Sequence, residues 1–332
     1  MTQMRLLSGM QPTGGGRLHL GNLEGALRPW IQRQDEYEMF CMIADWHSLT
    51  TIAEKQVNLA ESARQTAIDY LAAGLDPNKC AIFRQSDVPE HAELHLLLSM
   101  VTPVGWLERI PTYKEKREII KENDTQVSYG LLGYPVLQTA DIILYRAQAV
   151  PVGRDQAAHI EISREIARRF NRLVNQDVFP EPEAVINEFS GEVPGMDGRK
   201  MSKSYDNAIY LADTPRQTQK KINSAFTTPS KIHATDPGIP EGCVACQLRR
   251  VYDPGHYLTQ WDECRAGERG CWQSKKELAE IINTALAPIR ARRAELEADP
   301  ASVDAILQHG SEKARTAASE TMAIVRRAMQ IR

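Results

Sequence analysis

Two lysines stand three positions apart in Lys200-Met201-Ser202-Lys203-Ser204, with small hydroxyl side chains beside them. Two point charges and two hydroxyl donors at that spacing suit a polyphosphate, whose oxygens accept from both kinds of group. The preceding run Pro194-Gly195-Met196-Asp197-Gly198-Arg199 supplies the glycine freedom to bring such a segment onto a ligand. Near the other end lies Ser8-Gly9-Met10-Gln11-Pro12-Thr13-Gly14-Gly15-Gly16-Arg17-Leu18-His19-Leu20-Gly21-Asn22. It reads as a strand, a glycine-rich turn and a helix beginning around Gly21–Leu23. Glycine in such a turn lets a flat base approach the backbone, and a helix N-terminus favours phosphate. His19 and Asn22, one helical turn apart, can both donate to phosphate oxygens. Either segment alone also passes as a structural turn; the five-residue order of the lysine segment is the more specific signal.

These segments need a scaffold. Arg5–Met10, Met39–Ala44 and Cys80–Gln85 read as buried strands, and Asn58–Leu75 as a helix stopped by Gly74 and Pro77. Strand–helix alternation implies an α/β fold, a parallel sheet covered by helices, which binds ligands at the carboxyl ends of its strands. From about Ala208 strand-like runs become few, and Thr214–Phe226, Lys275–Ala298 and Ser311–Met329 read as helices. The expectation is a Rossmann-like catalytic domain over residues 1–205 and an all-helical domain over residues 206–332.

A net charge of −3 argues against a protein that grips RNA everywhere, so any polyanion must be held by local patches. Candidate patches are Lys114, Lys116, Arg117 and Lys121; Arg290, Arg292 and Arg293; and Arg326, Arg327 and Arg332. No apolar run approaches the roughly 18 residues of a membrane span, and the first residues lack a secretory pattern. A cytoplasmic protein with neither membrane nor DNA as partner is expected. Its six cysteines then read as thiols or metal ligands rather than disulfides.

At the two phosphate-suited segments the chain resembles the class I aminoacyl-tRNA synthetases. Their Lys-Met-Ser-Lys-Ser signature is matched in full, and their His-x-Gly-His-like signature reads His19-Leu20-Gly21-Asn22. Within that class the chain looks most like the bacterial tryptophanyl-tRNA synthetases. The likeness is carried by Gly9-Met10-Gln11-Pro12-Thr13-Gly14, Ala44-Asp45-Trp46-His47, Tyr134-Pro135-Val136-Leu137-Gln138-Thr139-Ala140-Asp141-Ile142 and Val150-Pro151-Val152-Gly153-Arg154-Asp155-Gln156. The resemblance implies ATP-dependent activation of tryptophan and its transfer to the 3′ end of tRNA(Trp), with Mg²⁺ on the phosphates. It assigns phosphate binding to His19 and Asn22, and pyrophosphate stabilisation to Lys200 and Lys203, helped by Met201, Ser202, Ser204 and Lys116. Gln11, Thr13, Gly14, Gly21, Gly153, Asp155 and Gln156 complete the ATP site. Tryptophan would meet Leu7, Gly9, Gln11, His47, Tyr134, Gln138, Asp141, Val150, Val152 and Gln156.

Indole offers one N–H donor on a large apolar plate, so its pocket needs one acceptor among apolar walls. Asp141 suits that need, and Tyr134, Gln138 and Asp141 share a helix face at i, i+4 and i+7. The same spacing resembles tyrosyl-tRNA synthetases, which stand as the alternative. Those enzymes place a tyrosine on the first strand, where this chain has Leu7, and a phenol hydroxyl would lose a partner there. A non-catalytic synthetase-like binder of RNA or protein is the other alternative, against which the intact His19, Gly21, Lys200 and Lys203 argue.

Three features go beyond the signatures. The Gly14-Gly15-Gly16-Arg17 stretch is longer than the matching turn of the relatives, and a loop extending into solvent is expected. Cys243, Cys246, Cys264 and Cys271 could hold a [4Fe–4S] cluster or zinc, or could be free thiols; the relatives that carry a cluster have a fourth cysteine where this chain has Ser274. Arg265, Arg269, Lys275 and Lys276 surround those cysteines, with Trp261 and Trp272 close by, a composition suited to unstacked anticodon bases or to a helical core. Cys41 and Cys80 read as core, and His91 and His95 as helix surface. A homodimer is implied through an insertion over residues 90–123, whose Leu94, Leu97, Leu98 and Met100 would supply apolar surface.

Overall fold

The computed structural model describes residues 3–52, 57–122, 126–153, 156–186 and 193–331. Five strands form one parallel sheet: β1 (Arg5–Met10), β2 (Glu38–Ile43), β3 (Cys80–Arg84), β4 (Ala149–Val152) and β5 (Glu183–Ile186), in the order β3-β2-β1-β4-β5. Successive side chains of a strand point to opposite faces. Leu6, Met39, Cys41 and Ile82 therefore enter one core, while Leu7, Phe40, Met42 and Phe83 enter the other. Both faces are apolar because helices cover both. After β3 the chain returns to lay β4 on the far side of β1, and this reversal opens a crevice at the carboxyl ends of β1 and β4.

The signature turn leads from β1 into α1 (Leu20–Asn22), which passes through a wide turn at Leu23–Leu27 into α2 (Arg28–Arg33). After β2 come α3 (Asp45–Ile52) and α4 (Leu59–Ala73). Asn58 starts α4 by accepting the Glu61 N–H (3.0 Å), and Gly74 ends it in a left-handed conformation. Three helices follow β3: α5 (Glu90–Ser99), α6 (Val104–Leu107) and α7 (Pro111–Glu122). Next is α8 (Tyr129–Leu144), started by the Ser128 hydroxyl on the Leu131 N–H, and after β4 runs α9 (Ala157–Val174).

The rest of the chain is helical: α10 (Pro215–Asn223), α11 (Val244–Tyr252), α12 (Tyr257–Ala266), α13 (Cys271–Ala298) and α14 (Pro300–Ala328). Its apolar residues continue the core beneath the sheet, from Leu6 and Ile82 through Ile222 and Leu248 to Leu286 and Leu307. Buried Arg293 of α13 pairs with buried Asp69 of α4. Helix α14 then returns to β3, where Gly310 lies so close that a Cβ there would sit 1.9 Å from the Ile82 carbonyl oxygen. A boundary near residue 205 thus separates two kinds of secondary structure but not two cores.

Candidate active site

At the carboxyl ends of β1, β2 and β4 lies a cavity of about 390 Å³. All ten residues expected to meet the amino acid line it: Leu7, Gly9, Gln11, His47, Tyr134, Gln138, Asp141, Val150, Val152 and Gln156. Met42, Ala44 and Ile142 add apolar wall, and Gly153 and Lys116 also reach it. Asp155 lies outside the described residues, as do Arg154 and Arg332. Tyr134 is buried, its hydroxyl 2.7 Å from His159 Nε2, and the Lys116 ammonium lies 4.8 Å from its ring centre.

Asp141 is not the lone polar group that its sequence surroundings suggest. Its Oδ2 accepts from His47 Nε2 at 2.7 Å, and its Oδ1 faces Gln85 Nε2 at 2.8 Å and His91 Nδ1 at 2.7 Å. Burial alone would raise the pKa of this carboxyl, but the charges and hydrogen bonds of His47 and His91 outweigh burial and hold it well below the usual carboxylate range. The group is an anion inside the protein. His91, expected on a helix surface, is fully buried, because the α5 face that carries it packs against α8. Spacing along one helix does not reveal a neighbour 50 residues away, so neither Gln85 nor His91 was legible as a partner of Asp141.

The phosphate-suited segments do not line this cavity; the signature turn starts from Gln11, which does. His19 caps α1: its Nδ1 accepts the Asn22 N–H at 3.3 Å, while the Asn22 side-chain oxygen accepts the His19 N–H at 3.1 Å. Accepting at Nδ1 leaves the proton of a neutral ring on Nε2. Burial first, then the charges of Lys203 and Lys200, lower the His19 pKa to about 4, so the ring is neutral near pH 7. The glycine turn extends into solvent at Gly14, Gly15 and Arg17, as expected, but is anchored at Gly16. Gly14, Gly15 and Gly16 all have positive φ, Gly16 is buried, and its carbonyl accepts from Thr66 of α4 at 2.8 Å.

The lysine segment meets that turn directly. Lys203 Nζ donates to the Thr13 carbonyl at 2.8 Å, and its stem lies against Gly14. Past the lysines the chain runs antiparallel to the signature, with the Leu20 N–H on the Ile209 carbonyl (3.0 Å) and the Leu211 N–H on the Leu18 carbonyl (2.9 Å). Asn207, buried and unremarked in the sequence, stitches the loop: it accepts the Ser202 N–H at 2.8 Å and donates to Asp197 (2.7 Å) and the Lys200 carbonyl (3.2 Å). Met201 is buried, while Lys200 and Ser204 are exposed and Ser202 is half-exposed.

Away from the cleft the cysteines behave differently from one another. Cys41 and Cys80 are buried on β2 and β3, as expected. Cys243 caps α11, and Cys246 sits one turn into it. Hydrogen bonds from the Cys246 thiol, then from the Cys246 and Ala245 N–H groups, lower the Cys243 pKa against the effect of burial. Among the described residues, no three His, Cys, Asp or Glu side chains converge as a metal site. The Cys246 thiol bonds those of Cys243 and Cys264, and Cys264 feels the charge of Cys271, so the four side chains expected together do lie near one another.

The basic patches are also changed by folding. Arg265 pairs with Glu241 and Asp262, Arg269 with Glu263 and Glu277, and Lys275 donates to the carbonyls of Asn223 and Ala225. Arg326 pairs with Glu93 of α5. Trp261 is core, donating to the Cys246 carbonyl at 3.2 Å, whereas Trp272 is 72% exposed with the Lys276 ammonium 5.6 Å from its ring centre. In α5, Leu94 and Leu98 face inward and Leu96 is exposed, as are Met100 just after it and Val104 at the start of α6.

Known proteins carry the same assembly. Residues 1–287 match the model of the tRNA synthetases class I (W and Y). A tryptophan–tRNA ligase from Thermotoga maritima is 45% identical over 331 residues, covering 99% of each chain. One from Aquifex aeolicus is 40% identical, covering 99% of this chain and all of the relative. The tryptophanyl-tRNA synthetase of Campylobacter jejuni, in a crystal structure complexed with ADP and tryptophan, superposes with a TM-score of 0.87 at 35% identity, covering 98% of this chain and all of that one. With the family match spanning most of the chain and relatives 40% and 45% identical over nearly its full length, the chain belongs to the class I tRNA synthetases of the W and Y family.

Proposed function

We propose that the chain activates L-tryptophan with ATP and transfers it to tRNA(Trp). The observation that carries this reading is Asp141, a buried anion at the wall of a cavity whose apolar side includes Leu7, Ile142, Val150 and Val152. Among the described residues its Oδ2 receives one hydrogen bond, from His47, which leaves an acceptor position for a single N–H. Leu7 stands beside it where a phenol hydroxyl would need a donor or acceptor. The full-length likeness to tryptophan–tRNA ligases supports the same choice.

The substrate lies with its ring between Leu7, Val150 and Val152 and its indole N–H on Asp141. Tyr134 and Gln156 take its ammonium group, and Gln11 lies near its carboxylate. ATP enters as its magnesium complex beside the signature turn, with Gly21 making room for the base and Gly153 near the ribose. His19 Nε2 and the amide of Asn22 donate to its phosphates. The tryptophan carboxylate attacks the α-phosphate; the bond to the β-phosphate breaks, and pyrophosphate leaves toward Lys200, Lys203 and Lys116. Positioning and charge neutralisation carry this step. Lys203 exchanges the Thr13 carbonyl for a phosphate oxygen as the loop closes.

The adenylate then passes its aminoacyl group to the 3′-terminal ribose of tRNA. Its anticodon end meets the helical half at the exposed Trp272–Lys276 pair, an aromatic face with a cation. Leu96, Met100 and Val104 form the face through which two copies pair. Among the described residues, no helix is long and apolar enough to cross a membrane.

Pyrophosphate exchange into ATP, driven by each of the twenty amino acids without tRNA, tests the assignment. Exchange with tryptophan alone is expected. Exchange with tyrosine would move the chain to the sibling specificity, and none with any amino acid would make it a binder.

A further inference from the structure

Behind Asp141 stands a second layer that does not touch the cavity. His91, on the first turn of α5, places Nδ1 2.7 Å from Asp141 Oδ1 and Nε2 2.7 Å from the Tyr145 hydroxyl. All three side chains are at least 98% buried. Tyr145 follows Asp141 by four residues, so both project from the same face at the end of α8. The Tyr145 ring is stacked on Phe40, with centroids 4.5 Å apart, and lies 5.6 Å from Phe83, which fixes its hydroxyl in place. Neither His91 nor Tyr145 lines the cleft.

The two contacts define a direction. With Nε2 held by the Tyr145 hydroxyl, the ring is fixed so that Nδ1 abuts Oδ1 at 2.7 Å, a close polar contact rather than a well-angled hydrogen bond. Gln85 donates to the same oxygen at 2.8 Å. Oδ1 is then held between the Gln85 hydrogen bond and the His91 ring, and Oδ2 accepts from His47 at 2.7 Å. A carboxylate oxygen has two lone-pair positions, and on Oδ2 one stays open toward the cavity beside the His47 bond. With Oδ1 pinned from behind, the carboxylate plane cannot turn, and Oδ2 stays presented to the cleft.

We infer that His91, oriented by Tyr145, is a positioning residue for amino-acid specificity, holding Asp141 so that it selects a ring bearing an N–H. The inference rests on the assignment of Asp141 to the indole N–H. Loss of the His91 side chain would free the carboxylate to rotate and would leave a buried anion short of one close polar neighbour. Recognition of the indole N–H would weaken, whereas ATP, bound at the far end, would be little affected.

The test compares tryptophan with its benzothienyl analogue, in which sulfur replaces the N–H at nearly unchanged shape, as drivers of pyrophosphate exchange. In His91→Leu the kcat/KM ratio of tryptophan over the analogue should fall about tenfold or more, the scale of a hydrogen bond to a charged group. KM for tryptophan should rise while KM for ATP holds. His91→Asn, whose amide nitrogen can replace Nδ1, should restore most of the ratio. Tyr145→Phe removes only the orienting hydroxyl and should shift the ratio in the same direction by less; it decides the matter if His91→Leu does not fold. Equal losses for both substrates in His91→Leu, or an unchanged ratio in Tyr145→Phe where it alone folds, would overturn the inference. A wild-type enzyme that uses both substrates equally would instead overturn the indole assignment of Asp141 itself, and the inference with it.

Discussion

Lys203 sits half-buried between the signature turn and Asp69, and burial lowers its pKa to about 8 although the Asp69 charge acts in the opposite direction. A lysine is cationic below its pKa, so the charge offered to the triphosphate is present at neutral pH and is lost as pH rises through about 8. Measured at limiting ATP, kcat/KM for pyrophosphate exchange should fall along that alkaline limb. Arginine remains protonated there, so Lys203→Arg should lack the limb, whereas Lys203→Ala should lose roughly 10²–10³ in rate. A limb that persists in Lys203→Arg would assign the titration elsewhere. His19, lowered to about 4, stays neutral throughout this range and contributes no limb of its own.

Much of the cavity at this scale was legible in the sequence, because the residues that line it stand in short ordered segments on β1, α8 and β4. What the sequence concealed are partners brought in by other elements. Gln85 and His91 reach Asp141 from the stretch after β3, and Asn207 holds the lysine loop from its far end. An isolated glutamine, histidine or asparagine carries no spacing signal.

Elements reveal themselves where local chemistry marks their ends. Asn58 and Gly74 bracket α4 as read, and Thr214 accepts the Gln217 N–H at the start of α10. Strands β4 and β5, four residues each, have no such marks, and β4 contains a proline. The glycine run divides: Gly14 and Gly15 are exposed, as composition suggested, whereas packing demands glycine at Gly16. At Gly16, with φ near +77°, a Cβ would fall 1.8 Å from the Ser62 carbonyl oxygen. At Gly15 a Cβ would meet nothing within 4 Å. Gly16→Ala should therefore cost about 1–3 kcal/mol in thermal unfolding and raise KM for ATP, since the turn must leave α4. Gly15→Ala keeps only the backbone strain and should be the milder change. Equal effects of the two substitutions would contradict the packing argument.

For the whole molecule, the helical half is bound into the catalytic half rather than hung from it. Arg293 of α13 pairs with Asp69, whose other carboxylate oxygen accepts the Leu18 N–H at 2.7 Å, one residue before His19. The lysine segment joins the signature turn by backbone pairing on one side and by Lys203 on the other. Composition foretold a sheet-rich half and a helical half, but a continuous core arises from long-range packing that no local pattern encodes. Such a framework brings two signatures distant in sequence into direct contact.

A crystal structure with tryptophan and a non-hydrolysable ATP analogue tests this arrangement most directly. The indole nitrogen should lie about 3 Å from Asp141 Oδ2, and Lys203 Nζ should have left the Thr13 carbonyl for a phosphate oxygen. A ring seated with its nitrogen away from Asp141, or a triphosphate bound beyond the reach of Lys203, would contradict the account.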